Sequence, residues 1–525
     1  MPTKKAHAKN GREKNGREKN GREKNGRAKK MSAKEAAAET QSTTPPEPQR
    51  DVATTPVAVA QPANPPVPAA DLSDARRLEG KARRKDCPRS SHGETVLGQD
   101  KRDPLALIEQ SNEGRLKDLL PIRFQRMAPS PFTFFRGTAN LQAHDLQGTP
   151  NSGITVQCCG DCHFMNFGGF ATPERLQIFD INDFDETFPA PFEWDVKRLA
   201  TSFVLASRDP KLKFSLAEIR TVVSTAVAAY RSVITDLATR TVLETWYAHI
   251  AVEDMYRTFA EDPKFLKMTR KETEKAAKNT SDHVFNKHVT TADGTPRIVD
   301  QPPKVFHPAA DEFDVKKDVI PFFARYRETL PADRQMLFDR FRLVDGAYKV
   351  VGVGSVGTRC MIALFLGEAG EPLFLQLKEA RPSVLEGHAG ASPFKNNGER
   401  VVVGQRLMQS ASDIFLGWST DPKGRDFYVR QLRDQKFAPN VAEVTPRSLG
   451  LLANLCGRTL GRAHAKCGAA ASIAGYVGTS DAFDEAILKY AQAYADQVEA
   501  DYEEFKKGIE SGRFPVAKTA DFGDR

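Results

Sequence analysis

Cys158-Cys159-Gly160-Asp161-Cys162-His163-Phe164-Met165-Asn166-Phe167-Gly168 decides how this chain is read, together with Gln177-Ile178-Phe179-Asp180-Ile181-Asn182-Asp183-Phe184-Asp185-Glu186 after it. An aspartate stands five positions before an asparagine, and a strand-like run then ends in Asp-Phe. Phosphoryl transfer calls for such a set. It needs a carboxylate to orient or deprotonate an acceptor hydroxyl, and an Asn and a second Asp to hold magnesium across nucleotide phosphates. Hard oxygen ligands suit that metal, and the same Asp-to-Asn spacing occurs in the protein-kinase catalytic loop. Two other uses compete. Cys158, Cys159, Cys162 and His163 could form a soft-metal cluster, but such a site usually draws on two separated ligand pairs, and Cys360, Cys456 and Cys467 supply no second C-x-x-C. The acidic run could also be purely structural.

The stretch resembles the catalytic loop of aminoglycoside and choline phosphotransferases, Gly-Asp-x-His-x-x-Asn followed by a strand and Asp-Phe. That resemblance implies that Asp161 is the catalytic base, Asn166 a magnesium ligand and Asp183 the second ligand. Asp180 rivals Asp183 for the metal, and Asp185 is a further candidate. Cys159 stands where that group usually has a His. Trp194-Asp195 resembles the pair whose Asp anchors the loop.

A second motif lies far downstream. Gly352-Val353-Gly354-Ser355-Val356-Gly357 is a G-x-G-x-x-G. Strand-like sequence flanks it on both sides, which predicts a hairpin rather than the strand-to-helix turn of a dinucleotide site. A glycine hairpin lets backbone close over phosphates, and the next strand delivers Lys378 where a kinase's phosphate-pairing lysine would lie. Strand alternation puts Phe374, Gln376 and Lys378 on one face. Gly352, Gly354, Ser355, Gly357 and Lys378 are thus the candidate nucleotide-binding residues. Glu386 and Glu399 are alternative partners for the lysine. Residues 426–432 resemble the strand leading to an adenine-binding hinge. Residues 451–464 resemble the phosphotransferase helix that precedes the catalytic loop, with His464 read as packed.

The catalytic loop comes first and the nucleotide-covering lobe nearly 200 residues later. The expected fold is therefore α+β, a bilobal protein-kinase-like fold that is circularly permuted. Its parts are a basic repeat and linker (1–70), a helical catalytic-loop lobe (71–345), a β lobe (346–435) and C-terminal helices packing on the catalytic lobe (436–525). Helical spacing marks 104–120, 195–207, 215–239, 241–260, 446–466 and 481–507. Residues 121–150 read as an aromatic loop, and 262–300 as a polar loop with a short helix. Over residues 75–510 the chain resembles the bacterial domain-of-unknown-function family 2252. The match rests on Ser130-Pro131-Phe132, Phe135-Arg136-Gly137, Gly160 to Gly168, Asn182 to Glu186, Trp194-Asp195, the glycine motif, Lys378-Glu379-Ala380, Gly404-Gln405-Arg406, Leu416-Gly417-Trp418 and Arg462 to Ala465. That resemblance supplies no reaction; function has to come from the site.

Composition narrows the classes. The 525 residues carry a formal charge of +8, but residues 1–30 hold eight Lys and four Arg against three Glu, a net +9, so the remainder sums to −1. The basic character is that of a tail with a five-residue Lys-Asn-Gly-Arg-Glu repeat, expected to be disordered, with weak contact to nucleic acid or an anionic surface. No apolar run is long enough to span a membrane. Seven cysteines in so long a chain point to a reducing, cytoplasmic setting. Arg123, Arg126 and Arg136 among Phe124, Phe132, Phe134 and Phe135 read equally as a phosphate or acceptor site and as a packed aromatic segment. The expected activity is an ATP- and magnesium-dependent phosphotransfer to a small-molecule or protein hydroxyl. The alternatives are nucleotidyl transfer on the same fold and a non-catalytic nucleotide-binding module.

Overall fold

In the computed structural model, helices from both halves of the chain form a packed bed that carries the 158–186 stretch. The structure describes residues 69–517 except 96–101, 279, 293, 310–313, 433–434 and 439–443. The basic repeat and nearly all of the linker lie outside the described residues. From Pro66 onward the chain is one compact unit.

The helix Leu216–Leu237 starts in a capping box, Ser215 with Glu218, which satisfies two otherwise orphaned backbone N–H groups. Its apolar stripe of Ile219, Val222, Val223 and Val227 is buried. The helix Pro446–His464 packs along it because Gly457 lets the backbones touch: a Cβ there would lie 2.0 Å from the Ala226 carbonyl oxygen. The helices Phe192–Ser207 and Ala482–Glu510 complete the bed. Three expectations are corrected. Residues 121–150 are three short helices, Leu120–Met127, Pro131–Arg136 and Ala139–Leu146, begun by prolines and by a Ser130/Thr133 capping box. The expected helix over 241–260 is two pieces, Val242–Tyr247 and Val252–Phe259, and the polar 262–300 segment holds a helix Pro263–Ala277 and a hairpin.

On this bed sit two small antiparallel pairs. β1 (Thr155–Cys158) pairs with β4 (Phe188–Pro191), and β2 (Phe167–Ala171) with β3 (Gln177–Ile181). The segments joining these strands are the two halves of the motif that opened the sequence analysis. A separate hairpin follows, β5 (Val289–Ala292) with β6 (Thr295–Ile298). The large sheet is formed by β7 (Val305–Phe306), β8 (Arg342–Lys349), β9 (Cys360–Leu366), β10 (Pro372–Ala380), β11 (Gly417–Thr420) and β12 (Asp426–Gln431). Its order is β11-β12-β10-β9-β8-β7, antiparallel throughout. The helix Asn397–Met408 connects β10 to β11.

The sheet is covered on both faces. Leu373, Leu375 and Leu377 point outward into a layer with Phe322, Phe323, Tyr326 and Phe338. The opposite face carries Phe374, Gln376 and Lys378. There Phe374, with Ala347, Ile362 and Leu364, packs against Val284 and Ile298 of the inserted 281–298 segment. No helix among the described residues is long and apolar enough to cross a membrane.

Candidate functional site

The 158–186 stretch is shaped by three local demands. Gly160 adopts φ +82, and a Cβ there would lie 2.1 Å from the Glu186 carbonyl oxygen, so only glycine lets the two halves of the motif close on each other. Asp195, in the first turn of its helix, accepts from the backbone N–H of Cys159 at 2.7 Å and of Gly160 at 3.0 Å. It thus anchors the loop, as Trp194-Asp195 suggested. His464 backs that carboxylate at 3.3 Å and meets the Tyr230 hydroxyl at 2.9 Å, fully buried, which is the packed role expected of it.

Asp161 projects into a cleft. Arg198 Nε donates to its Oδ1 at 2.7 Å, while the other Arg198 donors are spent on Gln142 and the Phe135 carbonyl. Burial raises the Asp161 pKa, and Arg198 opposes the rise. Asn166 ties the loop together: its Nδ2 donates to the Asp161 carbonyl at 2.7 Å, and its own carbonyl accepts from Asn182 N–H at 2.8 Å. His163 is buried beside them, held neutral by burial and by Arg136.

The second half brings Lys378 into the same place. Its Nζ lies 2.6 Å from Asp185 Oδ2 and 3.8 Å from Asp183 Oδ1, although 193 residues separate Lys378 from Asp185. Tyr428, opposite Lys378 on β12, donates its hydroxyl to Asp185 Oδ1 at 2.5 Å, and Ser355 Oγ donates to Oδ2 at 3.3 Å. Against the pull of burial, Lys378 and Tyr428 hold the Asp185 pKa down to about 2. Burial, with Asp185 next to it, pushes Asp183 the other way. The two carboxylates thus share the Lys378 ammonium, and Arg430 adds a second positive charge near both.

The glycine motif forms the turn between β8 and β9, as its flanking strands predicted. Arg115 donates to the carbonyls of Gly354 at 2.8 Å and Val356 at 2.6 Å, and Arg126 bonds the Gly352 carbonyl. These arginines clamp the loop to the helical bed. Gly352, Val353, Gly354 and Ser355 line a cavity of about 610 Å³ with Asp161, Asn166, Asp183 and Asp185. Gly357 closes the turn outside this lining, its carbonyl accepting from Leu116 N–H at 2.8 Å. Arg123, Arg136 and Arg381 also line the cavity. Arg123 is buried, with its donors on Asn112, Ser111 and the Gly137 carbonyl, and Phe134 and Phe135 are core residues. The aromatic segment is thus packed, and two of its arginines, Arg123 and Arg136, still reach the cavity wall.

Not every candidate arrives there. Asp180 is fully buried away from the cavity, its oxygens taken by Arg462 at 2.6 Å, the Ile181 N–H, and the N–H and Oγ of Ser410. Neither Glu386 nor Glu399 pairs with Lys378. Glu386 accepts from Ser392 N–H, and the helix residue that meets the site is Arg400. Cys159, Cys162 and Asp195 converge within reach of one ion, as do Cys158, Asp195 and His464. Burial pushes all three thiols up, and Asp195 is already engaged by the Cys159 and Gly160 N–H groups. A second cavity of about 300 Å³ lies at the end of β12, lined by Asn182, Phe170, Phe415, Gln409, Arg430 and Gln431.

Sequence reasoning missed Arg198, Arg400 and Tyr428 as site residues.

A family model described as an uncharacterised protein conserved in bacteria, DUF2252, matches residues 115–508. No curated protein and no solved structure matches the chain.

Proposed function

We propose that this chain, which belongs to the DUF2252 family of bacterial proteins, is an ATP- and magnesium-dependent phosphotransferase on a permuted kinase-like frame. One observation carries the reading: Lys378 lies 2.6 Å from Asp185 and 3.8 Å from Asp183. Segments almost 200 residues apart converge as a nucleotide site requires. The frame is consistent with this. A glycine turn joins two strands, a third strand carries the lysine and a helix follows it, the order of parts that covers the phosphates in protein kinases.

The residues fit magnesium. Asp183 and Asp185 lie side by side with one ammonium between them, and Asn166 adds a neutral oxygen ligand to the same cavity. Asp183 with Asn166 would hold the ion, which neutralises charge on the phosphate oxygens when bound. Asp180 is withdrawn from that role by its own buried bonds.

Each remaining step belongs to a residue of the chain. Asp161 takes the proton of the acceptor hydroxyl. Arg198 occupies Oδ1, so Oδ2 faces the proton. Burial brings this carboxylate nearer the pH at which a base must work. The acceptor oxygen bonds to the γ-phosphorus, the bond to the β-γ bridging oxygen breaks, and ADP departs. Lys378 pairs with the phosphates beneath Gly352, Gly354 and Ser355. The seven thiols are free, which suits the reducing cytoplasm where ATP is plentiful.

A nucleotidyl transfer is the second reading, and one observation favours it. The apolar half of the Lys378 face is already covered by Val284 and Ile298, while the larger cavity opens past the glycine turn. A nucleotide lying reversed, with its base outward, would present the α-phosphate for attack. Mass spectrometry of modified acceptors distinguishes a phosphoryl from a nucleotidyl adduct.

The test of the common premise is thermal stabilisation by ATP with magnesium. At a hundredfold excess over its Kd, a ligand adds about 2.7 kcal/mol. The wild type should show a magnesium-dependent shift that Asp183→Ala and Lys378→Ala both lose. No shift in the wild type across a wide ATP range removes the reading.

A further inference from the structure

A nucleotide-binding lysine has to be aimed. In protein kinases a glutamate on the helix after the lysine strand does this. In this chain that helix, Asn397–Met408, contains a single glutamate, Glu399, in its first turn. Among the described residues, the Glu399 carboxylate makes no ion pair with Lys378. The position that meets the site holds a cation instead. Arg400 is fully buried and donates to the carbonyls of Thr187 at 2.5 Å, Asp185 at 2.9 Å and Arg381 at 2.7 Å. One turn on, Gly404 lies so close to Thr187 that a Cβ would approach its Cγ2 to 2.5 Å. The helix is fastened to the backbone of the Asp183–Thr187 loop.

We propose that Asp185 is the positioning residue that aims Lys378, in place of a helix glutamate, and that Arg400 holds the two in register. The two aspartates differ in what already occupies them. Both oxygens of Asp185 are engaged, Oδ2 by Lys378 and Ser355 and Oδ1 by Tyr428. Asp183 accepts the Asp185 N–H at 3.2 Å and lies 3.8 Å from the Lys378 ammonium, with Arg430 as a further cation nearby. Asp183 is left for a cation and Asp185 is committed to the lysine. Lysine alignment and metal binding then belong to one loop, two residues apart. Swinging the helix outward cannot uncouple them, because Arg400 binds that same loop. This inference rests on the nucleotide-site reading above.

The test is a double-mutant cycle read as affinity for ATP, with and without magnesium, in the full chain. Lys378→Met and Asp185→Asn should each weaken ATP by about tenfold, and the double variant should be no weaker than Lys378→Met alone. Asp185→Asn should keep the gain in affinity that magnesium brings, and Asp183→Asn should lose it. A merely structural defect would not separate the two aspartates in this way. Glu399→Gln should bind as the wild type does. The inference is overturned if Asp185→Asn keeps full affinity, if its effect adds to that of Lys378→Met, or if Glu399→Gln weakens ATP as Lys378→Met does. Where Asp185→Asn does not fold, Tyr428→Phe removes one bond from the same carboxylate. It should cost about two- to threefold, and unchanged affinity counts against the assignment. A wild type that binds no ATP defeats the site reading itself, and this inference with it.

Discussion

At the scale of single residues, three carboxylates of one motif hold three different environments. Asp161 leans on Arg198, Asp185 is enclosed by Lys378, Tyr428 and Ser355, and Asp183 lies farther out, 3.8 Å from Lys378. Burial outweighs the help that Lys378 and Arg430 give Asp183, and a buried carboxylate so placed costs stability in the ligand-free protein. Asp183→Asn is therefore expected to raise the melting temperature without ligand, by on the order of 1 kcal/mol in free energy, while abolishing the magnesium-dependent shift with ATP. Differential scanning fluorimetry with and without Mg-ATP reads both signs in one experiment. Asp161→Asn should bind Mg-ATP as the wild type does and turn nothing over; full activity in that variant removes its assignment as base. The residues legible from sequence were those whose spacing along the chain is itself the signal, Asp161, Asn166, Asp183, Lys378 and the glycines. Tyr428 and Arg400 were not legible, because their roles come from cross-strand register and from a helix docking on a distant loop. Asp180 shows the converse. Its place in the strand made it a metal candidate, and only tertiary packing reveals the Arg462 and Ser410 bonds that consume it.

At the scale of elements, the long helices and the sheet strands followed their apolar periodicity, and the failures have a common physics. Residues 121–150 are too short and too interrupted by Pro121, Pro131 and Gly137 to show a 3.6-residue stripe, yet packing and capping make three helices of them. The helix Asn397–Met408 is where an element controls the site. Gly404 permits its contact with Thr187, and Thr187 is β-branched and hydrogen-bonded to the Cys158 carbonyl, so it cannot yield cheaply. Gly404→Ala should shift the helix away from the loop. The expected cost is about 1–3 kcal/mol in stability, with weaker ATP binding. Gly457→Ala, whose Cβ would strike the Ala226 carbonyl in the helical bed, should destabilise comparably and leave ATP affinity intact. Urea unfolding with ATP titration on the two variants separates a clash that matters for the site from one that does not.

At the scale of the whole molecule, the buried titratable groups and the basic excess of the sequence belong to different segments. His92 is enclosed by Tyr476, the Pro150 carbonyl and Glu193, and burial, with Lys197 nearby, lowers its pKa to about 3. The folded state thus refuses a proton that the unfolded chain accepts below about pH 6.5. The stability contributed by the neutral ring is complete above that value and is lost progressively as the pH falls toward 3. The loss approaches about 1.4 kcal/mol per pH unit. Several buried carboxyls with raised pKa, Asp161, Asp183 and Glu193 among them, work in the opposite direction. The comparison that isolates His92 is therefore the difference between wild type and His92→Gln, measured as unfolding free energy from pH 7.5 to 5.5. That difference should shrink as the pH falls; a constant difference would mean that the ring is not held neutral. The basic excess lies instead in residues 1–30, at +9 against a remainder of −1. Contacts made by such a repeat depend on counterion release and weaken steeply with salt. Deleting residues 1–30 should abolish any salt-sensitive retention on nucleic acid or anionic vesicles and leave the Mg-ATP shift untouched. If the deletion weakened ATP binding instead, the assignment of the repeat to salt-sensitive contact alone would fail.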